Sequence, residues 1–177
     1  RQASHTPFSA RQGFRLQWLP CSDSSCTWPV DHLIASGCLI PVHVLQTVGN
    51  MREDYFIDWV DIEWCLRASN HGYILYGVCA AALEHTLGNS VTCVFGREIP
   101  CHPPWRHYYQ ARNFILMLRN TPMPWQLRIH MAWRQLKRFL VFSTLVPGRA
   151  TYARMWVLGI IHGCLGHTGP RITSSQR

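Results

Sequence analysis

The chain has 177 residues, of which 47% are hydrophobic and only 15% charged, a composition that fits one modest globular domain and excludes a disordered tail. The formal charge of +8 is unevenly distributed: residues 1–98 carry six basic and nine acidic groups, and residues 99–177 carry eleven basic groups and no acidic group. The net charge is therefore −3 in the first part and +11 in the second, and we expect the two parts to bind different partners.

The length of the apolar runs and the positions of the cysteines exclude further classes of protein. The best candidate for a spanning segment, residues 139–146, includes Ser143 and Thr144 and is far shorter than the ~18 residues that cross a bilayer, so we expect no membrane-spanning segment. The eight cysteines lie mostly in apolar or strand-like stretches, which favours reduced thiols in a cytosolic protein. Cys21 and Cys26 form a C-x4-C pair, but no second pair completes a zinc site.

The first half of the chain is predicted to contain short strands and helices, several of which end at a glycine. In chain order we predict a loop over 1–30, a buried strand over 32–36 ended by Gly37, a helix over 41–48 ended by Gly49, a helix over 61–70 ended by Gly72, extended segments over 73–78 and 80–85, and a mobile loop over 86–98.

The second half is predicted to be helical and basic. Pro103 and Pro104 precede a helix that runs to about Asn120, and a last helix covers residues 151–164. Between them, apolar side chains recur at steps of three and four residues and predict an amphipathic helix with a cationic polar side. The members of this apolar stripe are Trp125, Ile129, Ala132, Trp133, Leu136, Phe139 and Leu140.

Five of the nine acidic residues fall within residues 53–63, which makes this window the best candidate for carboxylate chemistry. Asp61 lies at the start of the predicted helix, and Glu63 follows two residues later. One carboxylate could act as a general base while the other orients it. Helix capping explains an aspartate at this position equally well.

Several stretches of residues 30–120 together resemble bacterial rhamnosyltransferases of the inverting family-two glycosyltransferases. In order, they are VDHLIASG at 30–37, GNMREDYFID at 49–58, DIEWCLR at 61–67, EHTLG at 84–88, FGREIP at 95–100 and RHYYQARN at 106–113.

The resemblance implies an α/β fold of the Rossmann-like GT-A type, of which this chain matches the C-terminal half. Residues 1–98 would form the acceptor side of the catalytic domain, and residues 99–177 a basic helical extension with amphipathic helices. The donor-binding half, with the Asp-x-Asp metal motif of the family, would precede Arg1. We therefore expect the chain to be a piece of a longer protein, inactive without that half.

By position in these motifs, Asp61 matches the catalytic base of the family and Glu63 is its neighbour. His85 matches a histidine that ligates the divalent metal, Mg²⁺ or Mn²⁺, which neutralises the departing diphosphate. A lone histidine after an apolar strand is otherwise often a hydrogen-bonded structural residue, and that alternative stays open for His85.

Five further residues are candidates for substrate binding. Ser36 and Gly37 lie where a strand end meets the site, and Gly37 permits close approach of a ligand, although a simple strand end explains it equally well. Arg97 could reach a phosphate from the loop, or be solvated there. Tyr109 and Arg112 lie on the first basic helix, where packing is the alternative to acceptor contact.

The resemblance implies transfer of L-rhamnose from dTDP-rhamnose, with inversion, to a glycan or lipid-linked acceptor in the synthesis of lipopolysaccharide O-antigen. The cationic helices fit an anionic membrane surface, so we expect a cytoplasmic protein that is peripheral on the inner face of the plasma membrane. Nucleic-acid binding is disfavoured because no fold signature accompanies the charge. The stripe could also pack on the catalytic domain. The alternative function is a non-enzymatic module that binds a membrane surface or a partner.

Overall fold

The computed structural model describes residues 8–12, 15–21, 23–81, 83, 90–94 and 97–171, and this part of the chain is mixed α/β with a predominance of helix. Its elements are β1 (Phe8–Gln12), β2 (Arg15–Leu19), β3 (Thr27–Val30), α1 (Val42–Val48), a 3-10 turn (Glu53–Tyr55), α2 (Val60–Asn70), β4 (Leu75–Val78), β5 (Ser90–Val94), β6 (Arg97–Cys101), α3 (Pro104–Asn120), α4 (Trp125–Thr144) and α5 (Arg149–Cys164).

The chain divides into two compact units. Unit 1 contains Arg1–Met51 and Asp61–Thr86, and unit 2 contains Arg52–Val60 and Leu87–Arg177. Within the described ranges the strands form three antiparallel pairs, β1 with β2 and β3 with β4 in unit 1, and β5 with β6 in unit 2.

The strand predictions of the first half are largely wrong. Residues 1–30 were expected to form a loop, but they include β1, β2 and β3, whereas residues 32–36 contain no strand. β4 is shorter than the predicted 73–78 strand, and Tyr76 and Val78 are exposed because a two-stranded sheet buries little. The described parts of the predicted 86–98 loop belong to the hairpin of β5 and β6.

The helices predicted over 41–48 and 61–70 are confirmed as α1 and α2 of unit 1. Gly49 and Gly72 follow α1 and α2 with left-handed φ angles of 85°, the conformation that glycine adopts at least cost. The helices share an apolar core, to which Val44 and Val48 of α1 and Trp64 and Ala68 of α2 contribute.

A disulfide joins Cys21, before β3, to Cys79, after β4. The expectation of reduced thiols was therefore wrong for these two residues, and Cys21 is not paired with Cys26. The sequence could not reveal this bond, because it depends on the antiparallel register that places Thr27 opposite Val78 and so brings both strand ends together.

We expect reduction of the Cys21–Cys79 disulfide to lower the free energy of unfolding of unit 1 by about 4 kcal/mol. The bond spans 58 residues of sequence, and its loss returns that loop entropy to the unfolded chain. Thermal unfolding with and without reductant measures the effect. Cys79→Ser should abolish the effect of reductant and Cys26→Ser should retain it; equal melting temperatures for wild type in both buffers would contradict the prediction.

In unit 2, the predicted helices are confirmed as α3, α4 and α5, and α3 packs closely on α5. Gly159 and Gly163, one turn apart on α5, are buried against the backbone of α3. A Cβ atom on Gly163 would lie 2.7 Å from the carbonyl oxygen of Arg112, and one on Gly159 would overlap that of Tyr108. The absence of side chains at both positions therefore sets the distance between the two helices.

Gly163→Ala should destabilise unit 2 by about 1–3 kcal/mol, because the added methyl group forces α3 and α5 apart. Intrinsic helix propensity alone predicts the opposite sign, since alanine favours helix over glycine. Chemical denaturation distinguishes the two outcomes. Thr151→Ala, at an exposed position of the same helix, is the matched control and should change the free energy of unfolding little.

Helix α4 has two apolar faces, of which one is buried and the other is mostly exposed. Leu127, Met131 and Phe142 are buried, and Phe142 belongs to a core cluster with Val146 and Tyr152. The apolar stripe recognised in the sequence is instead mostly exposed, and packing within the described residues does not cover it. No helix of the described ranges has the length and hydropathy needed to cross a bilayer.

Candidate functional site

Asp61 lies in the first turn of α2, where its carboxylate meets the segment that precedes α1. Oδ2 accepts a hydrogen bond from the backbone N–H of Ala35 at 3.3 Å, and Oδ1 accepts one from the N–H of Ile62 at 2.9 Å. The side chain is only partly buried. Because an ionised carboxylate has about four acceptor positions, Asp61 retains capacity to accept a proton from a ligand hydroxyl.

The contact with Ala35 brings three of the predicted site residues together. Ser36 and Gly37 follow Ala35 in an exposed turn, and Gly37 has a left-handed φ of 77°. The turn is closed by a hydrogen bond from the N–H of Cys38 to the carbonyl of Ala35 at 3.2 Å. The exposed turn of Ser36 and Gly37 therefore lies beside the partly buried Asp61.

Two thiols lie near this carboxylate and are disfavoured as nucleophiles. Burial, and secondarily the negative charge of Asp61, raises the pKa of the Cys38 thiol. Burial raises the pKa of Cys65 to about 11, although a hydrogen bond from the N–H of Leu33 partly opposes that shift. Since the thiolate is the reactive form, Asp61 is the better candidate for chemistry at this place.

Glu63 lies on the buried side of α2, with 1% of its surface exposed. Both of its carboxylate oxygens contact Nε of Arg67, at 2.9 and 3.0 Å. The same guanidinium donates to the carbonyls of Val48 and Asn50, and thereby ties α2 to the end of α1. These contacts make Glu63 an anchor of the helix that carries Asp61; its catalytic role stays a prediction.

Arg112, which belongs to unit 2, points into the protein. Its guanidinium is 1% exposed and donates to the carbonyls of Tyr55 at 3.0 Å, Asp54 at 3.4 Å and Gly169. Arg112 therefore joins the backbone of Asp54 and Tyr55 to that of Gly169. This is the packing alternative raised for the residue, and acceptor contact by Arg112 stays untested.

Tyr109 is also largely buried, on α3 of unit 2. Its hydroxyl accepts a hydrogen bond from the N–H of Arg171 at 2.6 Å, and its ring lies 5.1 Å from that of Phe56. Of the remaining predicted site residues, His85 lies outside the described residues. The backbone of Arg97 begins β6, but its side chain is outside the description.

The turn that precedes α2 contains features that sequence reasoning missed. Phe56, Asp58 and Trp59 all have positive φ angles, between 63° and 68°, a sparsely populated region that costs a non-glycine residue on the order of 1–3 kcal/mol. Nδ2 of Asn113 donates to the carbonyls of Tyr55, Ile57 and Asp58, and so stabilises this conformation.

An ion pair holds the same turn within unit 2. Nε and Nη2 of Arg106 contact the two carboxylate oxygens of Asp58 at 2.9 and 3.0 Å, a bidentate geometry that fixes orientation. The hydrophobic periodicity of the sequence cannot indicate an ion pair between two residues that are 48 positions apart. The only hint in the sequence is that Asp58 tolerates a left-handed backbone better than most residues do.

Comparison with curated proteins supports the class of protein that the motifs indicate: the chain is similar to a bacterial rhamnosyltransferase. The relative is the dTDP-rhamnosyl transferase RfbF of Shigella flexneri, which is 34% identical over 140 residues. The matched region covers 77% of this chain and 46% of the relative, so the chain spans less than half of the length of that protein. The predicted resemblance to rhamnosyltransferases is thereby confirmed.

Two other comparisons give no match. No protein-family profile matches the chain, and no solved structure does.

Proposed function

We propose that the protein is part of a glycosyltransferase that transfers L-rhamnose from dTDP-rhamnose to a glycan or lipid-linked acceptor. The observation that carries the proposal is the partly exposed Asp61 carboxylate, held by the Ala35 N–H beside the Gly37 turn. Similarity to a dTDP-rhamnosyl transferase over 77% of the chain supports the choice of donor.

In the proposed reaction, Asp61 acts as general base. Its carboxylate takes the proton of an acceptor hydroxyl while that oxygen attacks the anomeric carbon of rhamnose. The bond from the anomeric carbon to the diphosphate breaks in line with this attack, and dTDP departs with the bonding electrons. In-line displacement inverts the anomeric configuration. A positioned base typically contributes about 10²–10⁴-fold to the rate.

Ser36 and Gly37 are proposed to contact the substrate, because they adjoin Asp61 and are exposed. Glu63 supports Asp61 indirectly in this scheme, since its pair with Arg67 anchors α2. Arg97, Tyr109 and Arg112 remain proposed contacts to phosphate and acceptor. The GT-A type of fold belongs to the same proposal.

A divalent cation, Mg²⁺ or Mn²⁺, is proposed to neutralise the charge of the departing diphosphate. The described residues contain no cluster of three histidine, cysteine or acidic side chains that could hold one. His85, the predicted ligand, is outside that part of the chain, and further ligands would come from the donor-binding half. The described residues thus bind and deprotonate the acceptor in this scheme, and the cation would lower the charge on the leaving group.

The proposed location is the cytoplasmic face of the plasma membrane, with a role in O-antigen synthesis. A lipid-linked acceptor is embedded in a membrane, and residues 99–177 carry eleven basic groups and no acidic group. Basic groups near an anionic leaflet favour such attachment.

The activity is tested by incubating the protein with dTDP-rhamnose and a panel of glycan and lipid-linked acceptors, followed by mass spectrometry and NMR of the product. Because the chain spans 46% of its relative, the assay uses the chain alone and the chain joined to the unmatched part of RfbF. We expect transfer with inverted anomeric configuration by the joined protein. If neither protein transfers rhamnose, the alternative of a non-enzymatic binding module is favoured instead.

A further inference from the structure

Helix α4 exposes an apolar stripe on the side opposite to the one that it buries. Successive residues of an α-helix are rotated by about 100°, so the five largest exposed apolar side chains lie within ~80° of the helix circumference. Each of them is between 45% and 60% exposed: Trp125, Ile129, Trp133, Leu136 and Leu140. The buried Leu127, Met131 and Phe142 lie on the other side of the axis. The exposed stripe is therefore additional to the packing face of α4.

Cations flank this stripe on both sides. On the same projection, Arg128 lies beyond one edge and Lys137 beyond the other, and both are exposed. Nζ of Lys137 lies 5.8 Å from the centroid of the Trp133 ring, so its charge stays at the border of the apolar surface. α4 contains no acidic residue.

We propose that the stripe of α4, from Trp125 to Leu140, docks on the surface of an anionic lipid bilayer. An apolar strip with tryptophan, bordered by cations, suits a helix that lies in the interface plane. Its apolar side chains enter the acyl boundary while Arg128 and Lys137 contact lipid phosphates. The missing acidic groups favour an anionic partner, and the buried opposite face keeps α4 attached to unit 2.

The proposal takes the cytoplasmic leaflet as the natural surface from the proposed function. Its test needs neither donor nor acceptor, so either proposal can fail while the other stands. The probe is co-sedimentation of the chain with vesicles of phosphatidylglycerol mixed with phosphatidylcholine. Vesicles of phosphatidylcholine alone, and added salt, measure the contribution of charge.

We expect binding to the anionic vesicles that weakens with salt. Ile129→Ser combined with Trp133→Ser should weaken the partition coefficient by about tenfold or more, because two large apolar side chains leave the interface. Replacing Arg128 and Lys137 with glutamine should weaken it roughly fivefold per lost cation. Val157→Ser combined with Ile161→Ser, on the exposed surface of α5, is the matched control and should leave binding unchanged.

Three results would overturn the proposal. They are absence of wild-type binding to anionic vesicles, unchanged binding of the double serine variant of α4, and an equal loss in the α5 control. A fourth result would also overturn it: in analytical ultracentrifugation of the same proteins, a concentration-dependent dimer that the α4 substitutions abolish would assign the stripe to a second copy of the chain. Circular dichroism verifies that each variant retains its helices.

Discussion

Asp61→Asn should lower the rate of rhamnosyl transfer about 10²–10⁴-fold without unfolding the protein. In the proposed mechanism Asp61 is the general base, and an amide cannot accept the proton of the acceptor hydroxyl, so that contribution to catalysis is lost. The amide oxygen can still accept the N–H of Ala35, which preserves the contact between α2 and the Gly37 turn. The expected signature is thus a fall in kcat with little change in melting temperature or in the KM for the acceptor.

The experiment uses the joined protein that shows transfer, with Asp23→Asn as the matched control. Asp23 is an exposed aspartate of unit 1 whose carboxylate contacts only the nearby Ser25 in the described structure, so the same chemical change should leave kcat unaffected. Calorimetry with dTDP-rhamnose checks that Asp61→Asn retains donor binding. Full activity of Asp61→Asn would refute the assignment of the base.

The sequence predicts the helices well because their signals are local. Gly49 and Gly72 end α1 and α2 where predicted, and the periodicity of residues 125–140 matches α4. The strands are predicted poorly because short antiparallel pairs depend on partners distant in the chain. β3, for example, pairs with β4, which lies some 45 residues further on.

For the candidate site, too, the local features could be predicted from the sequence and the long-range contacts could not. The sequence around Asp61 predicts a carboxylate at the start of a helix. Its contact with Ala35 requires the segment before α1 to pass the first turn of α2, which periodicity does not encode. Likewise, the sequence shows that Glu63 and Arg67 are one helical turn apart, but not that Arg67 also binds the carbonyls of Val48 and Asn50.

The same limit explains the stripe of α4. Periodicity correctly predicts a helix here, and it identifies the longer of two apolar faces. It cannot tell which face packs, because Leu127, Met131 and Phe142 also recur on one side. The core selects the smaller set through contacts such as that of Phe142 with Tyr152, and leaves the side chains of Ile129 and Trp133 more than half exposed.

Unit 2 should lose stability in acid, and His107 should be the main cause. The side chain of His107 is fully buried, and its ring lies 4.4 Å from that of Phe142 and 4.9 Å from that of Tyr152. Neither ring nitrogen has a hydrogen-bond partner among the described residues. Burial, and then the positive charges of Arg138, His102 and Arg106, lowers the pKa of His107 to about 3.

The direction of the effect follows from proton binding. Below pH ~6.5 the unfolded chain takes up a proton at His107 that the folded protein does not bind until the pH approaches 3. Above pH ~6.5 His107 therefore causes no loss in the free energy of unfolding. Below that pH, the free energy of unfolding falls by up to about 1.4 kcal/mol per pH unit as the pH decreases. Urea unfolding between pH 7 and 4, conditions chosen to span this window, measures the slope.

His107→Phe should remove most of this pH dependence, because phenylalanine fills the same aromatic surroundings and binds no proton. It should also stabilise unit 2 at neutral pH, since no hydrogen bond of the ring is lost among the described residues. His43→Phe, on the exposed side of α1, changes the same residue type and should leave the slope as in wild type. The smaller slope that remains in His107→Phe would come from His102, His130 and His162, whose pKa values burial also lowers. A wild-type slope in His107→Phe would show that other groups control the acid sensitivity.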